Sequence, residues 1–209
     1  MAGQSLQPLK AVVLGTGPSL AKQRDRILEL RASDKIRIFG VNNTFNDFPL
    51  DVWIACDPTW HDHYGQVMGD FDKWHWDEGI CKRYGYQYIE GLWRDGISTD
   101  PKAIHYGHSS GFQALNLAYH YGHREIYLAG FDMQYSGSRH YFDDLSGDAG
   151  EYPKPLRKFS KFDKPRVEKG RCREYSLFQY YETVAEQNPC HIYNMTADSA
   201  LKCFEFKDL

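Results

Sequence analysis

Short apolar runs alternate with helix-patterned segments along this chain, and each of four such runs stops at glycine, asparagine or aspartate. Lys10–Leu14 (KAVVL) ends at Gly15-Thr16-Gly17-Pro18-Ser19. Ile36–Val41 (IRIFGV) ends at Asn42-Asn43, residues 52–56 (VWIAC) end at Asp57, and Glu125–Ala129 (EIYLA) ends at Gly130-Phe131-Asp132. Residues 86–89 read as a weaker fourth strand, which makes Glu125–Ala129 the fifth, and His191–Asn194 as a last one. Between them, 20–31 carries Leu20, Ile27, Leu28 and Leu30 in a helical pattern, with Ser19 placed to cap it. Residues 109–121 put Phe112, Leu115 and Ala118 on one helical face, with Ser109 or Ser110 as the cap and Gly122 as the stop. Residues 175–187 read as a further helix, and Thr196 or Asp198 as the start of another.

The runs are apolar at successive positions rather than at every second one. Such strands are buried on both faces, which belongs to parallel sheets covered by helices on either side. The expected fold is therefore α/β: a Rossmann-like, doubly wound, mostly parallel sheet. Open sheets of this kind bind ligands beyond the C-terminal strand ends. The residues to examine are therefore Gly15–Ser19, Asn42 and Asn43, Asp57 and Asp132.

The chain's 209 residues suffice for one domain spanning 1–209 and are too few for two of ordinary size. No apolar stretch is long enough to cross a bilayer as a helix. The N-terminal segment has no apolar core of the secretory kind. Cys56, Cys81, Cys172, Cys190 and Cys203 are odd in number, and none has CxxC spacing. That argues against a disulfide framework and a structural zinc site, and favours a reducing, cytoplasmic compartment. A net charge of −3 gives no bulk attraction for polyanions.

Two segments break the rhythm. Residues 60–94 are rich in His, Trp, Asp and Tyr with weak periodicity. Residues 135–173 begin acidic and turn basic from Lys154 to Arg173, with three prolines. A segment of that length reads as a lid or insertion after the fifth strand. Its basic half, 154–173, is a candidate contact for phosphates or nucleic acid.

Several constellations bear on chemistry. Gly15-Thr16-Gly17 between a strand and a helix offers amides to a phosphate, but it is neither a Walker loop nor a GxGxxG fingerprint. Asn42 and Asn43 carry both donors and acceptors, suited to a base, ribose or sugar. Ser109 and Ser110 open a helix between Gly107 and Gly111, a second candidate anion site. Asp132 precedes Tyr135, His140 and Tyr141, residue types that serve as acids, bases or phosphate donors. His61-x-His63 suggests a metal, although no third ligand of fixed spacing accompanies it.

The order GTGPSL, VNNTF, then SSGFQALNLAYHYGHREIYLAGFDM resembles the bacterial sialyltransferases and the related MptE-like family, which includes a 6-hydroxymethylpterin diphosphokinase. Small stand-alone members from tailed bacteriophages are the most similar. The likeness covers 12–45, 52–57, 109–143 and, more loosely, 190–209. It implies a transferase with a nucleotide-activated donor, most simply a glycosyltransferase using a CMP- or other NDP-sugar. Gly15, Thr16, Gly17, Ser19, Asn42, Asn43, Ser109 and Ser110 would then contact the nucleotide. Tyr135 and Tyr141 would hold its phosphate. The family's general-base histidine lies in the lid, yet this chain has no histidine between Tyr141 and Cys190. His140 is the first candidate replacement, with Asp143 or Asp144 as alternatives, and Tyr141 and Asp132 stand beside it in the catalytic set. The sialyltransferases also carry Asn where Thr16 stands. The alternatives are a magnesium- and ATP-dependent diphosphokinase, with Asp57 and Asp132 on the metal, and a non-catalytic protein that binds a nucleotide or a partner. The resemblance further implies the cytoplasm of a bacterial host, an acceptor whose identity stays open, and a homo-oligomer like the tetrameric relatives.

Overall fold

A computed structural model describes residues 10–134 and 173–209. The chain is α/β. It runs β1 (Lys10–Leu14), α1 (Ser19–Ala32), β2 (Ile36–Val41), a 3-10 turn (Asn42–Asn46) and β3 (Val52–Ile54). Then come α2 (Pro58–Tyr64), β4 (Asp72–His75), α3 (Glu78–Tyr84), β5 (Gln87–Tyr88), β6 (Glu90–Leu92) and β7 (Ala103–His105). The remainder is α4 (Ser110–His120), β8 (Glu125–Ala129), α5 (Arg173–Gln187), β9 (His191–Asn194) and β10 (Glu205–Phe206). Eight strands form one sheet in the order β10-β9-β8-β1-β2-β3-β4-β5, and β6 and β7 pair separately. Every pairing is parallel. This is the Rossmann-like, doubly wound arrangement expected from the strand pattern.

Successive residues of β1 point to opposite faces, and both faces are buried. Val12 and Leu14 pack with Leu20, Ile27 and Leu30 of α1, and with Trp53 and Trp60. Ala11 and Val13 pack with Phe112, Leu115 and Ala118 of α4, and with Tyr181 and Val184 of α5. Each of the larger side chains, once buried, contributes about 1.5–3 kcal/mol. That explains why the strands carry no polar face. No helix among the described residues is long and apolar enough to cross a membrane.

The structure departs from the sequence reading at four places. Residues 60–94 are not irregular: they hold most of α2, β4, α3, β5 and β6. Because β4, β6 and β7 escaped the reading, the strand counted as fifth is the eighth, and residues 135–172, which lie outside the described residues, follow β8. The predicted strand at 86–89 shortens to the two residues of β5, and β6, which follows at Glu90, belongs to the other sheet. No helix starts at Thr196 or Asp198, where the chain makes a turn before β10. The strands among these elements are two to four residues long and the helices α2 and α3 only seven, too short to show a clear period.

Caps also differ from expectation. Ser19 is the first residue of α1, not its cap. Pro18 stands at the cap with φ −62° and makes no side-chain capping bond. Ser109 is the cap of α4, and its Oγ accepts from the Phe112 amide at 3.2 Å.

Candidate ligand site at the strand-order reversal

The chain leaves β1 toward β2 on one side and reaches β8 on the other, so the sheet order reverses at β1. The connections after such a pair diverge and leave a crevice at the C-terminal strand ends. Here the turn after β1 lies directly on the turn after β8. The Gly15 amide donates to the Ala129 carbonyl at 2.7 Å, and the Gly17 amide to the Gly130 carbonyl at 2.9 Å. A Cβ on Gly15 would sit 2.5 Å from the Gly130 oxygen. One on Gly17 would sit 2.0 Å from Asp132 Oδ2. The glycines are needed because two backbones and a carboxylate meet there.

This contact revises the expected phosphate cradle. The amides of Gly15, Gly17 and Leu20 donate to carbonyls of the chain itself. Pro18 has no amide hydrogen. The Ser19 amide donates to both oxygens of Asp132, at 3.2 and 3.3 Å, and the Ser19 hydroxyl donates to Asp132 Oδ2 at 2.8 Å. A carboxylate of the protein thus occupies the start of α1, where the helix dipole favours negative charge. Thr196 Oγ1 lies 2.9 Å from Ser19 Oγ. Gln23 joins the same corner, accepting from the Gly130 amide at 3.0 Å and donating to the Met195 carbonyl at 2.8 Å.

A cavity of about 250 Å3 opens beside this corner. One wall is Gly15, Thr16 and Gly17 after β1, Asn42 after β2, and Asp132 after β8. A second is the first turn of α4, Ser109 to Gly111. First-turn amides of a helix have no partner within the helix. Phe131, Met133, Leu177, Phe178 and Tyr181 close the third side with apolar surface. No lysine or arginine lines the cavity among the described residues. Tyr181 is 1% exposed; burial pushes its hydroxyl's pKa up, and that hydroxyl lies 3.4 Å from Ser109 Oγ.

Asn42 is held in a left-handed conformation, φ 46°, and its carbonyl accepts from Trp53 Nε1 at 2.8 Å. Its Oδ1 accepts from the Ser110 hydroxyl at 3.2 Å. Ser110 Oγ in turn accepts from the Cys56 amide at 2.9 Å, and the Cys56 carbonyl from Trp76 Nε1 at 2.9 Å. This chain of bonds ties the ends of β2, β3 and β4 to the opening of α4. Burial raises the pKa of the Cys56 thiol and keeps it protonated.

Of the residues singled out in the sequence, Gly15, Thr16, Gly17, Asn42, Ser109, Ser110 and Asp132 line this one cavity. Ser19 lies behind the wall, on Asp132. Asn43 is 5% exposed and turns away, accepting from Trp60 Nε1 at 2.9 Å. Asp57 is not among the lining residues; its carbonyl accepts from the Trp60 amide at 3.0 Å. His61 and His63 lie on helix α2 rather than in an extended segment, and His61 is 1% exposed. Among the described residues no group of three His, Cys, Asp or Glu is placed to hold a metal ion. Tyr135, His140, Tyr141 and residues 154–172 lie outside the described residues. The sequence reading missed Gln23, Thr196, Phe178 and Tyr181. Their only signal was the helical spacing of the last two, which any buried helix shows.

No family model matches the chain, and no curated protein matches it. Fold and site together define it as a Rossmann-like α/β protein with a cavity where the strand order reverses.

Proposed function

We propose that the chain is a transferase that binds a nucleotide-activated donor, most simply a nucleotide sugar, in the cavity beside β1 and β8. The observation that carries this reading is convergence. Residues 15–17, 42, 109–110 and 132 are far apart in sequence and come together at one crevice of a parallel sheet. The volume suits one nucleoside-sized portion of a ligand. The apolar wall of Phe131, Leu177 and Phe178 suits a flat ring, and Asp132 with Asn42 suits its hydroxyls and polar edges. The donor's phosphate belongs at the first turn of α4, because the amides of Gly15, Gly17, Ser19 and Leu20 are already donated within the chain. In transfer, the acceptor hydroxyl forms a bond to the sugar carbon as the bond from that carbon to the phosphate oxygen breaks. His140 takes the hydroxyl proton, with Tyr141 and Tyr135 on the leaving phosphate. Negative charge grows on that phosphate, and the positive end of the α4 dipole stabilises it.

The residues do not fit the magnesium reading as well. Of its two carboxylates only Asp132 lines the cavity, and both of its oxygens already accept from Ser19.

Thermal denaturation with CMP, UMP, nucleotide sugars and ATP, each with and without magnesium, tests the reading. A ligand that binds only the folded chain raises the melting temperature. The expected result is a magnesium-independent rise with a pyrimidine nucleotide or nucleotide sugar. A rise with ATP that requires magnesium would overturn it in favour of the diphosphokinase, and no rise with any of them would leave a non-catalytic protein.

A further inference from the structure

Two histidines outside the cavity have no part in the function proposed above. His61 on α2 is 1% exposed and His75 at the end of β4 is fully buried. Their ring centroids are 5.3 Å apart. Each has one ring nitrogen bonded, and those partners determine the tautomers. His61 Nδ1 faces the Gly65 carbonyl at 3.1 Å. A carbonyl only accepts, so Nδ1 carries the proton and Nε2 is a bare acceptor. His75 Nδ1 accepts from the Asp77 amide at 2.9 Å. An amide N–H only donates, so His75 carries its proton on Nε2. Both Nε2 atoms are buried without a hydrogen-bond partner among the described residues. The neutral pair therefore presents one donor and one acceptor within the same aromatic enclosure.

We propose that His61 and His75 are a proton-sensing pair that releases the β4–α3–β5 edge of the sheet on acidification and thereby loosens the neighbouring cavity wall. A proton on His75 can add only at Nδ1, and it displaces the Asp77 amide. Asp77 is the cap of α3, with Oδ1 accepting from the Ile80 amide at 2.9 Å. A proton on His61 adds at Nε2 and places a charged donor with no acceptor among the described residues inside the enclosure. Trp76 carries the effect onward: its ring stacks on His75 at 5.5 Å, and its Nε1 holds the Cys56 carbonyl. Cys56 holds Ser110, and Ser110 holds Asn42. The link to ligand binding rests on the cavity being the functional site; release of the edge does not.

The groups facing the pair do not supply a counter-charge in contact. Around His61 these are Asp62 on its own helix, Arg83 and Tyr84 on α3, and Tyr86 before β5. Around His75 they are Asp57, Asp77 and the buried Cys81, whose Sγ donates to the His75 carbonyl at 3.4 Å. Burial outweighs them: it lowers the pKa of His61 and takes His75 down to about 4. A histidine lowered in the folded state weakens folding as pH falls. The unfolded chain takes up its proton below about 6.5, and the folded chain does so only near 4. Stability is thus lost through that window and levels off beneath it. At pH 5.5 His75 alone reduces the folding equilibrium constant about tenfold relative to pH 8.

The test uses the full chain without ligand. Hydrogen exchange between pH 8 and 5, corrected for intrinsic rates, is compared for wild type and His75→Asn. The Asn oxygen can accept the Asp77 amide but cannot titrate. Protection is expected to fall first in residues 72–88 of the wild type, about tenfold more at pH 5.5 than in His75→Asn. If His75→Asn does not fold, 15N shifts of the wild-type imidazoles decide. Supporting shifts are a protonated Nδ1 on His61, a protonated Nε2 on His75, and titration of His75 below pH 5. Titration of His75 near 6.5, the opposite tautomers, or a loss of protection spread evenly over the sheet would overturn the proposal. A failed nucleotide screen would leave it standing, because no arm of this test involves a nucleotide.

Discussion

Removing the Asp132 carboxylate should detach the start of α1 from the end of β8, and the structure sets the size of the effect. Asp132 is 8% exposed and receives the Ser19 amide and the Ser19 hydroxyl. Hydrogen bonds to a charged group are each worth about 1.5–3 kcal/mol in mutational series, and the two here share one carboxylate. Negative charge at a helix start adds about 0.3–1 kcal/mol. Asp132→Ala should therefore cost about 2–4 kcal/mol. For a chain of this length each kcal/mol lowers the melting temperature by about 2–4 °C. A fall of about 4–16 °C is expected in calorimetry. Asp132→Asn keeps one oxygen and the shape but loses the charge, and should cost only about 1 kcal/mol. Ligand stabilisation should drop in both variants, because both lose the carboxylate that faces the cavity. A melting temperature unchanged in Asp132→Ala, or Asn as damaging as Ala, would refute the argument that a charged cap joins the two turns.

Other perturbations separate close packing from conformation and exposure. Gly17→Ala places a methyl 2.0 Å from Asp132 Oδ2 and 2.6 Å from the Gly130 oxygen, so urea unfolding should show a loss of about 2–4 kcal/mol. Gly122→Ala meets no atom within 4 Å but stands at φ 88°, so it should lose only about 1–2 kcal/mol. Ser110→Ala leaves the Cys56 amide and Asn42 Oδ1 without their bonds. It should cost about 1–3 kcal/mol and weaken nucleotide binding without altering the secondary structure seen by circular dichroism. Burial pushes Cys190 and Cys203 up to about 11 from an ordinary value of 9.0, so at pH 7.5 each should react with an aromatic disulfide about a hundredfold more slowly than in urea. Equal rates in both states would sink that reading.

How far the sequence led can be judged residue by residue. β1, β2 and β8 were legible because each is a run of five or six residues with no polar alternation, the pattern that burial on both faces demands. The turns after them were legible as a site because strand ends in such sheets are where ligands go. β4, β6 and β7 were not legible: at three or four residues, with His, Asp and Lys among them, they have no period of their own. They are strands because neighbouring strands satisfy their amides. The role of Asn43 was misread for a related reason. It stands beside Asn42 in the chain, yet a left-handed Asn42 sends the two side chains apart, one into the cavity and one onto Trp60.

The glycine turn marks the boundary most sharply. That two glycines, a proline and a serine join a strand to a helix follows from local chemistry, as does the tight turn they make. What the turn is for does not. Local chemistry offers its amides to an anion. Tertiary packing brings the Gly130 turn and the Asp132 carboxylate onto those amides across more than a hundred residues of chain. The sequence by itself determined the parallel sheet and the polar turns at its C-terminal strand ends, because buried strands and polar turns are local patterns. Only the tertiary structure decided that the Gly15, Gly17 and Ser19 amides go to acceptors of the chain itself, because folding brings those acceptors within reach.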